Sequence, residues 1–315
     1  MANETKTIIG IIKACRPVHA IKNASIFAAL IFSGLLFEKG LFMRAVEGFF
    51  IFSLAASATY LLNDVFDADR DKQHPIKKYR PIASGVVSKQ LALWTALVLG
   101  IASLYWASLL SDLFFILLAF YLAMQVLYSL FLKNLHVIDI LIIATGFVIR
   151  VYSGAVIIDA HLSVWFLLCV ISIALFLASG KRRAELGILG STGETRKSLV
   201  KYQPELLNAY VTMFGNAAWM SWALFTFFES PQAKVPLWIF LAELSQSIAV
   251  NKLLMITIPV TIFGIMRYQS LIFRGKSEAP ERLLLTDTAL VASVILWIFL
   301  VIWILYGGIA TAPVI

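Results

Sequence analysis

The chain has 315 residues, of which 60% are hydrophobic and only 14% charged, and it carries a net charge of +8. Soluble domains carry roughly 25% charged residues, so this balance excludes a soluble globular protein and points to an integral membrane protein. Its two cysteines, Cys15 near the start and Cys169 inside an apolar run, fit neither a disulfide framework nor zinc-ligand spacing and read as structural.

From the amino terminus, Ile8 to Ile12 are the first apolar core, closed by Lys13 and Arg16. That run is too short for a signal peptide or a span, so no cleavage is expected. Windows of about 20 residues, enough to cross roughly 30 Å of hydrocarbon, predict nine transmembrane helices. They fall near 18–37, 45–64, 90–110, 113–132, 137–157, 162–180, 206–228, 248–273 and 286–308. No charge run, Pro/Ser-rich linker or low-complexity tract marks a second unit. The expectation is one all-α bundle over residues 1–315.

The basic residues set its orientation. Lys6, Lys13, Arg16 and Lys22 precede or open the first span; Arg70, Lys72, Lys77, Lys78, Arg80 and Lys89 join the second to the third; Lys133 follows the fourth. Lys181, Arg182, Arg183, Arg196, Lys197 and Lys201 join the sixth to the seventh, and Arg267, Arg274, Lys276 and Arg282 flank the eighth-to-ninth connection. The opposite side has Lys39, Arg44, Lys234 and Lys252. The positive-inside rule then puts the amino terminus in the cytoplasm and the carboxyl terminus outside. It also accounts for the net charge without a nucleic-acid partner.

Acids concentrate where the second span ends, in Leu61 to Gly85. On a continuing helix Asp64, Asp67 and Asp71 lie within roughly 60° of one another, while Asp69 points about 140° away. Three carboxylates on one face repel and stay ionised together only if a cation joins them. Oxygen-only ligands suit Mg2+, which takes one or two carboxylates and completes its shell with substrate phosphates. Asn63 could add an amide oxygen or orient a carboxylate. Beyond them runs His74-Pro75-Ile76-Lys77-Lys78-Tyr79-Arg80-Pro81, in which the prolines forbid a continuous helix. A loop folded over the helix end, with Lys77, Lys78 and Arg80 near the metal, describes a diphosphate site; His74 either hydrogen-bonds within that loop or contacts substrate.

Arg150 stands in an otherwise apolar fifth span, eleven residues after Asp139 and nearly on its face. A charge there needs a cavity or a partner. The two readings are a phosphate contact and an ion pair with Asp139. His19, His136 and His161 sit at span ends in no ligand spacing and read as structural, as do the Phe and Trp residues.

With these residues in view, the Asn63-Asp64-x-x-Asp67-x-x-x-Asp71 pattern resembles the first aspartate-rich motif of the UbiA-type prenyltransferase superfamily, membrane enzymes that bind magnesium diphosphates. Within it the chain is most similar to decaprenyl-phosphate phosphoribosyltransferases. The resemblance rests also on Arg16-Pro17 with Lys22-Asn23, on Tyr128 to Lys133, Gly146 to Arg150, Gly180 to Glu185 and Pro280 to Asp287. It implies transfer of 5-phosphoribose from phosphoribosyl diphosphate to a polyprenyl phosphate, with Mg2+ as cofactor, in a bacterial cytoplasmic membrane. A homo-oligomer is left open.

Prenyl-diphosphate users resemble one another in a second acidic motif after the sixth span. Here Lys181-Arg182-Arg183 stand instead, with Glu185 the one nearby acid. Lys22, Lys133, Arg150 and the Lys181 triplet are therefore the expected contacts for the extra phosphates of donor and lipid. The alternatives are a UbiA-type enzyme moving a prenyl group to an aromatic or other acceptor, and a lipid carrier or transporter. No internal repeat of the kind transporters show is visible.

Overall fold

Serine and aspartate at the starts of apolar runs, and proline or charge at their ends, divide the chain into helices. The structure, a computed structural model, describes residues 2–73, 77–189, 201–229, 248–274 and 286–307. His74, Pro75, Arg196, Lys197 and Pro280 to Arg282 lie outside these. All regular structure among the described residues is helical. The helices are α1 (Ala2–Ala14), α2 (Phe27–Phe32), α3 (Lys39–Phe66), α4 (Ala68–Gln73), α5 (Lys89–Leu110), α6 (Asp112–Leu130), α7 (Ile138–Ile157), α8 (Val164–Leu189), α9 (Pro204–Phe228), α10 (Ile258–Phe273) and α11 (Thr288–Tyr306). Ser88, Ser111 and Asp287 cap α5, α6 and α11, each side chain accepting from a backbone N–H three residues on.

Seven stretches among the described residues are long and apolar enough to span a membrane: α3, α5, α6, α7, α8, Lys252–Phe273 and α11. Two of the nine expected spans are not among these seven. Residues 206–228 do form α9, but Asn208, Thr212, Asn216 and Ser221 recur along it and dilute its hydropathy. The run 18–37 is not one α-helix; it is a 3-10 segment, Pro17–Ile26, followed by the short α2. Arg16 enters it in the left-handed conformation, φ 53°, with Pro17 at the first helical position. Its far end presses backbone to backbone on α7, where a Cβ on Gly154 would run into the Ile26 carbonyl. Only glycine allows that approach.

Burial ranks the helices by depth. The spanning windows of α3 and α7 are 50% and 56% buried, against 17% for α5, so α3 and α7 are central. On α5, Trp94, Val98, Ile101, Tyr105 and Leu109 repeat at three- and four-residue steps and are exposed, the pattern of a lipid-facing stripe. One core cluster, with Phe52, Phe114, Leu118, Tyr121 and Ile149, joins α3, α6 and α7. Another, with Phe166, Trp222, Phe225, Val301 and Ile304, joins α8, α9 and α11. Successive spans alternate in direction, so the ends of α3, α6 and α8 meet the starts of α7 and α9 at one end of the bundle. The acids and most of the bases gather there.

Candidate active site

The α3 helix breaks at Asp67, its C-cap, and resumes as α4 at Ala68. Helical hydrogen bonds nevertheless run through the break: Asp67 N–H donates to the Asn63 carbonyl at 2.9 Å and Asp71 N–H to the Asp67 carbonyl at 2.8 Å. Asp64 and Asp71 thus return to one face, 2% and 4% exposed. The turn at Lys77–Tyr79 folds back over them and delivers Arg80. Its Nη1 donates to Asp64 Oδ1 at 3.1 Å and to Asp71 Oδ2 at 2.7 Å. Arg16 Nη2 donates to the same Asp64 oxygen at 2.5 Å, its guanidinium 5.1 Å from the centre of the Tyr60 ring.

Asp67 departs from the expected trio. It turns to Lys133, whose ammonium lies 2.6 Å from Asp67 Oδ1 and is 3% exposed, with Arg70 further off at 3.8 Å. The break at Asp67, and a buried base waiting opposite it, draw this carboxylate aside. Asp69 points outward, as the helical phase requires, and meets Lys89 at 2.8 Å and Lys72 at 3.3 Å. The Lys89 hydrogen bond first, then Lys72, holds its carboxyl below the usual range.

The donor set bears on metal binding. Among the described residues no three Asp, Glu, His or Cys side chains stand arranged as a ready set of metal ligands. Yet Asp64 and Asp71 already converge on one positively charged nitrogen. Two buried carboxylates that share a cation are the hard oxygen donors a magnesium ion takes. These residues fit the group, with Asp67 close along the same helix end.

The remaining bases divide. Lys22 lies within electrostatic reach of Lys181 and Arg182 within reach of both Glu185 and Tyr128. Arg182 is fully buried and engaged: Asp139 at 2.6 Å, Glu185 at 2.5 Å and the Tyr128 hydroxyl at 2.8 Å. Arg183 turns away, donating to Asn208 at 2.6 Å and lying against the Phe273 ring. Lys77 is half-buried, while Lys78 is exposed beside the Tyr79 ring at 5.2 Å. The Asn63 side chain is half-buried.

Arg150 does not pair with Asp139. It donates to Asn23 at 2.7 Å, to the Gly146 carbonyl at 2.5 Å and to the Tyr121 hydroxyl at 2.8 Å, between the Phe52 and Tyr121 rings. These are neutral partners, and they tie the 3-10 segment to α7. Asp139 instead accepts from Tyr202 at 2.8 Å and pairs with Arg182. Burial and that carboxylate push the Tyr202 phenol well up, so it remains a hydrogen-bond donor. Sequence reasoning left Arg16, Asp139, Tyr128 and Tyr202 without site roles. Arg16 and Tyr128 carried a signal through the resemblance; the roles of Asp139 and Tyr202 depend on which helix ends meet.

A family model described as the UbiA prenyltransferase family matches residues 24–181. The decaprenyl-phosphate phosphoribosyltransferase of Mycobacterium tuberculosis H37Rv is 35% identical over 296 residues, covering 92% of each chain. The enzyme of that name from Mycolicibacterium smegmatis is 37% identical over 296 residues, covering 92% of this chain and 91% of its own. The solved structure of a UbiA homologue from Archaeoglobus fulgidus, bound to DMAPP and Mg2+, superposes with a TM-score of 0.66 at 16% identity, covering 96% of this chain and 99% of that one. The structural likeness establishes the helical fold alone; the matched residues and the identity over nearly the whole length establish kinship. By these measures the chain belongs to the UbiA prenyltransferase family.

Proposed function

We propose that this protein transfers 5-phosphoribose from phosphoribosyl diphosphate to a polyprenyl phosphate of decaprenyl type, in a magnesium-dependent reaction that releases diphosphate. Its product would supply cell-envelope glycan synthesis. The observation that carries this reading is the charge inventory at the helix ends. Asp64, Asp67 and Asp71 are matched by Arg16, Arg80 and Lys133, and the end of α8 adds Lys181 beside Lys22 where a second acidic pair would serve a prenyl-diphosphate user. A donor with a 5-phosphate and an acceptor that is itself a phosphate bring the anionic charge such an excess of bases suits. The names of the relatives support the same donor and acceptor.

A magnesium ion held by Asp64 and Asp71, with Asp67 beside them, would supply Lewis-acid stabilisation of the departing diphosphate. Arg16, Arg80 and Lys133 offer N–H donors to the same oxygens, so negative charge gathers among fixed dipoles as the ribose C1–oxygen bond breaks. An oxocarbenium-like centre forms at C1, and a lipid phosphate oxygen attacks it. That oxygen is already anionic, so no general base is required, and the residues act by positioning. Lys22, Lys77 and Lys181 hold the other phosphates, and Asn63 orients the first carboxylate. Arg182 and Glu185 support the wall of the site. Arg150 fixes the segment that carries Lys22. The chain acts as one unit of nine spans with its amino terminus and site at the cytoplasmic face, where the soluble donor is found.

Mass spectrometry of lipids tests the reading. Purified protein, Mg2+, phosphoribosyl diphosphate and polyprenyl phosphate should yield a phosphoribosylated lipid. A product formed instead from labelled prenyl diphosphate would overturn it in favour of prenyl transfer.

A further inference from the structure

The connection between α6 and α7 holds a backbone conformation that its residue disfavours. Val137 has φ 67° and ψ −45°, and Ile138 N–H donates to the His136 carbonyl at 2.8 Å. This is a γ-turn of the positive-φ kind, rare for any residue and costly for a β-branched one. Such a turn persists only where its surroundings over-determine it. Here one side chain does so. The Tyr202 hydroxyl accepts from Val137 N–H at 2.9 Å and donates to Asp139 at 2.8 Å, and its ring lies 4.1 Å from that of His136. Tyr202 is 4% exposed, and its anchor Asp139 is fixed in turn by Arg182 at 2.6 Å.

Lys133 lies in the same connection, four residues before the turn. Its buried ammonium reaches Asp67 at 2.6 Å. A lysine on a surface loop samples many rotamers; a buried one, 3% exposed, depends on its backbone being set in the correct place. We propose that Tyr202 is a positioning residue, which braces the γ-turn at Val137 and thereby sets the backbone that brings Lys133 onto Asp67. Tyr202 lies two residues before α9, so the seating of the start of α9 is coupled to the carboxylate at the end of α3. The consequence for turnover rests on the function proposed above, whereas the brace itself does not.

The test uses the full chain in detergent with three variants: Tyr202→Phe, Val137→Gly, and both together. Phenylalanine keeps the ring and removes the hydroxyl. Glycine adopts positive φ without strain, so it frees the turn from needing the brace. An amine-reactive reagent with peptide mass spectrometry reads the shielding of Lys133, independently of catalysis. We expect labelling of Lys133 in Tyr202→Phe to rise roughly fivefold, the equivalent of losing one buried hydrogen bond. The KM for phosphoribosyl diphosphate should rise by a similar factor, with the KM for the lipid phosphate unchanged. Val137→Gly should behave as wild type, and the double variant should return towards it. A mere packing role for Tyr202 gives no rescue by glycine at a different residue, and absence of rescue overturns the proposal. So does unchanged labelling in Tyr202→Phe, whatever reaction the protein catalyses. Labelling that rises and is rescued, in a protein inactive towards phosphoribosyl diphosphate, upholds the brace and sinks the reaction instead.

Discussion

Replacing Arg80 by glutamine separates a metal site from an ordinary ion-pair network. One guanidinium nitrogen serves both Asp64 and Asp71, at 3.1 and 2.7 Å. Without it, two buried carboxylate oxygens roughly 5 Å apart face each other, a repulsion of about 3 kcal/mol at an effective dielectric constant of about 20. Arg16 still neutralises part of the charge on Asp64, which leaves a net loss of about 2 kcal/mol. In a chain of this size that lowers the melting temperature by roughly 3 °C. The loss applies to the metal-free protein. Mg2+ should bind the variant without first displacing an internal cation, and a ligand at 100 times its Kd returns about 2.7 kcal/mol. Thermal melts of Arg80→Gln and wild type in detergent, each with EDTA and with saturating Mg2+, give the readout. The deficit should be full in EDTA and largely erased by Mg2+, while Ca2+-free sodium salts at equal ionic strength leave it in place. An equal deficit in EDTA and in Mg2+ refutes the assignment of Asp64 and Asp71 as metal ligands.

The sequence carried the direction of side chains better than their partners. Asp64 and Asp71 share a face because the 3.6-residue period survives the break at Asp67, and Asp69 points away for the same reason. Asp67 escaped that logic, since its orientation follows the buried Lys133 from a distant connection. Arg150 and Asp139 illustrate the same limit: eleven residues apart on α7, they share a face but not a partner. Asp139 occupies the first turn of α7, where Arg182 arrives from the end of α8, whereas Arg150 lies deep enough to meet Asn23 and Tyr121. Hydropathy found the apolar run 18–37 but could not show that Arg16 and Pro17 start it as a 3-10 segment. That geometry depends on Gly154, more than a hundred residues away. Of the bases Lys77, Lys78 and Arg80, spacing alone could not say that Arg80 turns inward and Lys78 outward.

Asp67→Ala should abolish magnesium-dependent turnover while the helical signal in circular dichroism stays unchanged; retained turnover would remove Asp67 from the site. Gly154→Ala drives a methyl group into the Ile26 carbonyl, an overpacking that costs about 1–3 kcal/mol and should lower the melting temperature by several degrees. Burial pushes the Cys15 thiol up, so its thiolate is scarce at neutral pH; maleimide labelling followed by mass spectrometry should find it slower than free glutathione and accelerating only in alkali. Asp69→Asn should leave turnover intact. Because Lys89 and Lys72 depress the Asp69 carboxyl, any stability it adds is present above the usual carboxylate range and lost as pH falls through the depressed value, so the melting curves of variant and wild type should merge in acid. The pair Arg182 and Asp139 decides whether the base is a phosphate ligand or a support. Both are fully buried, 2.6 Å apart, and removing one partner of such a pair costs about 3–5 kcal/mol, because the other charge is left uncompensated. Arg182→Met should therefore destabilise strongly, since it takes from the buried Asp139 carboxylate the cation that faces it. The double variant Arg182→Met, Asp139→Leu removes both charges and should recover much of the loss, a non-additivity that melting temperatures detect. If Arg182 is a support, transfer activity returns along with stability. Stability restored without activity, with Lys133 still shielded from the amine-reactive reagent, would place its guanidinium on the substrate, and strictly additive losses would mean the two charges do not depend on each other at all.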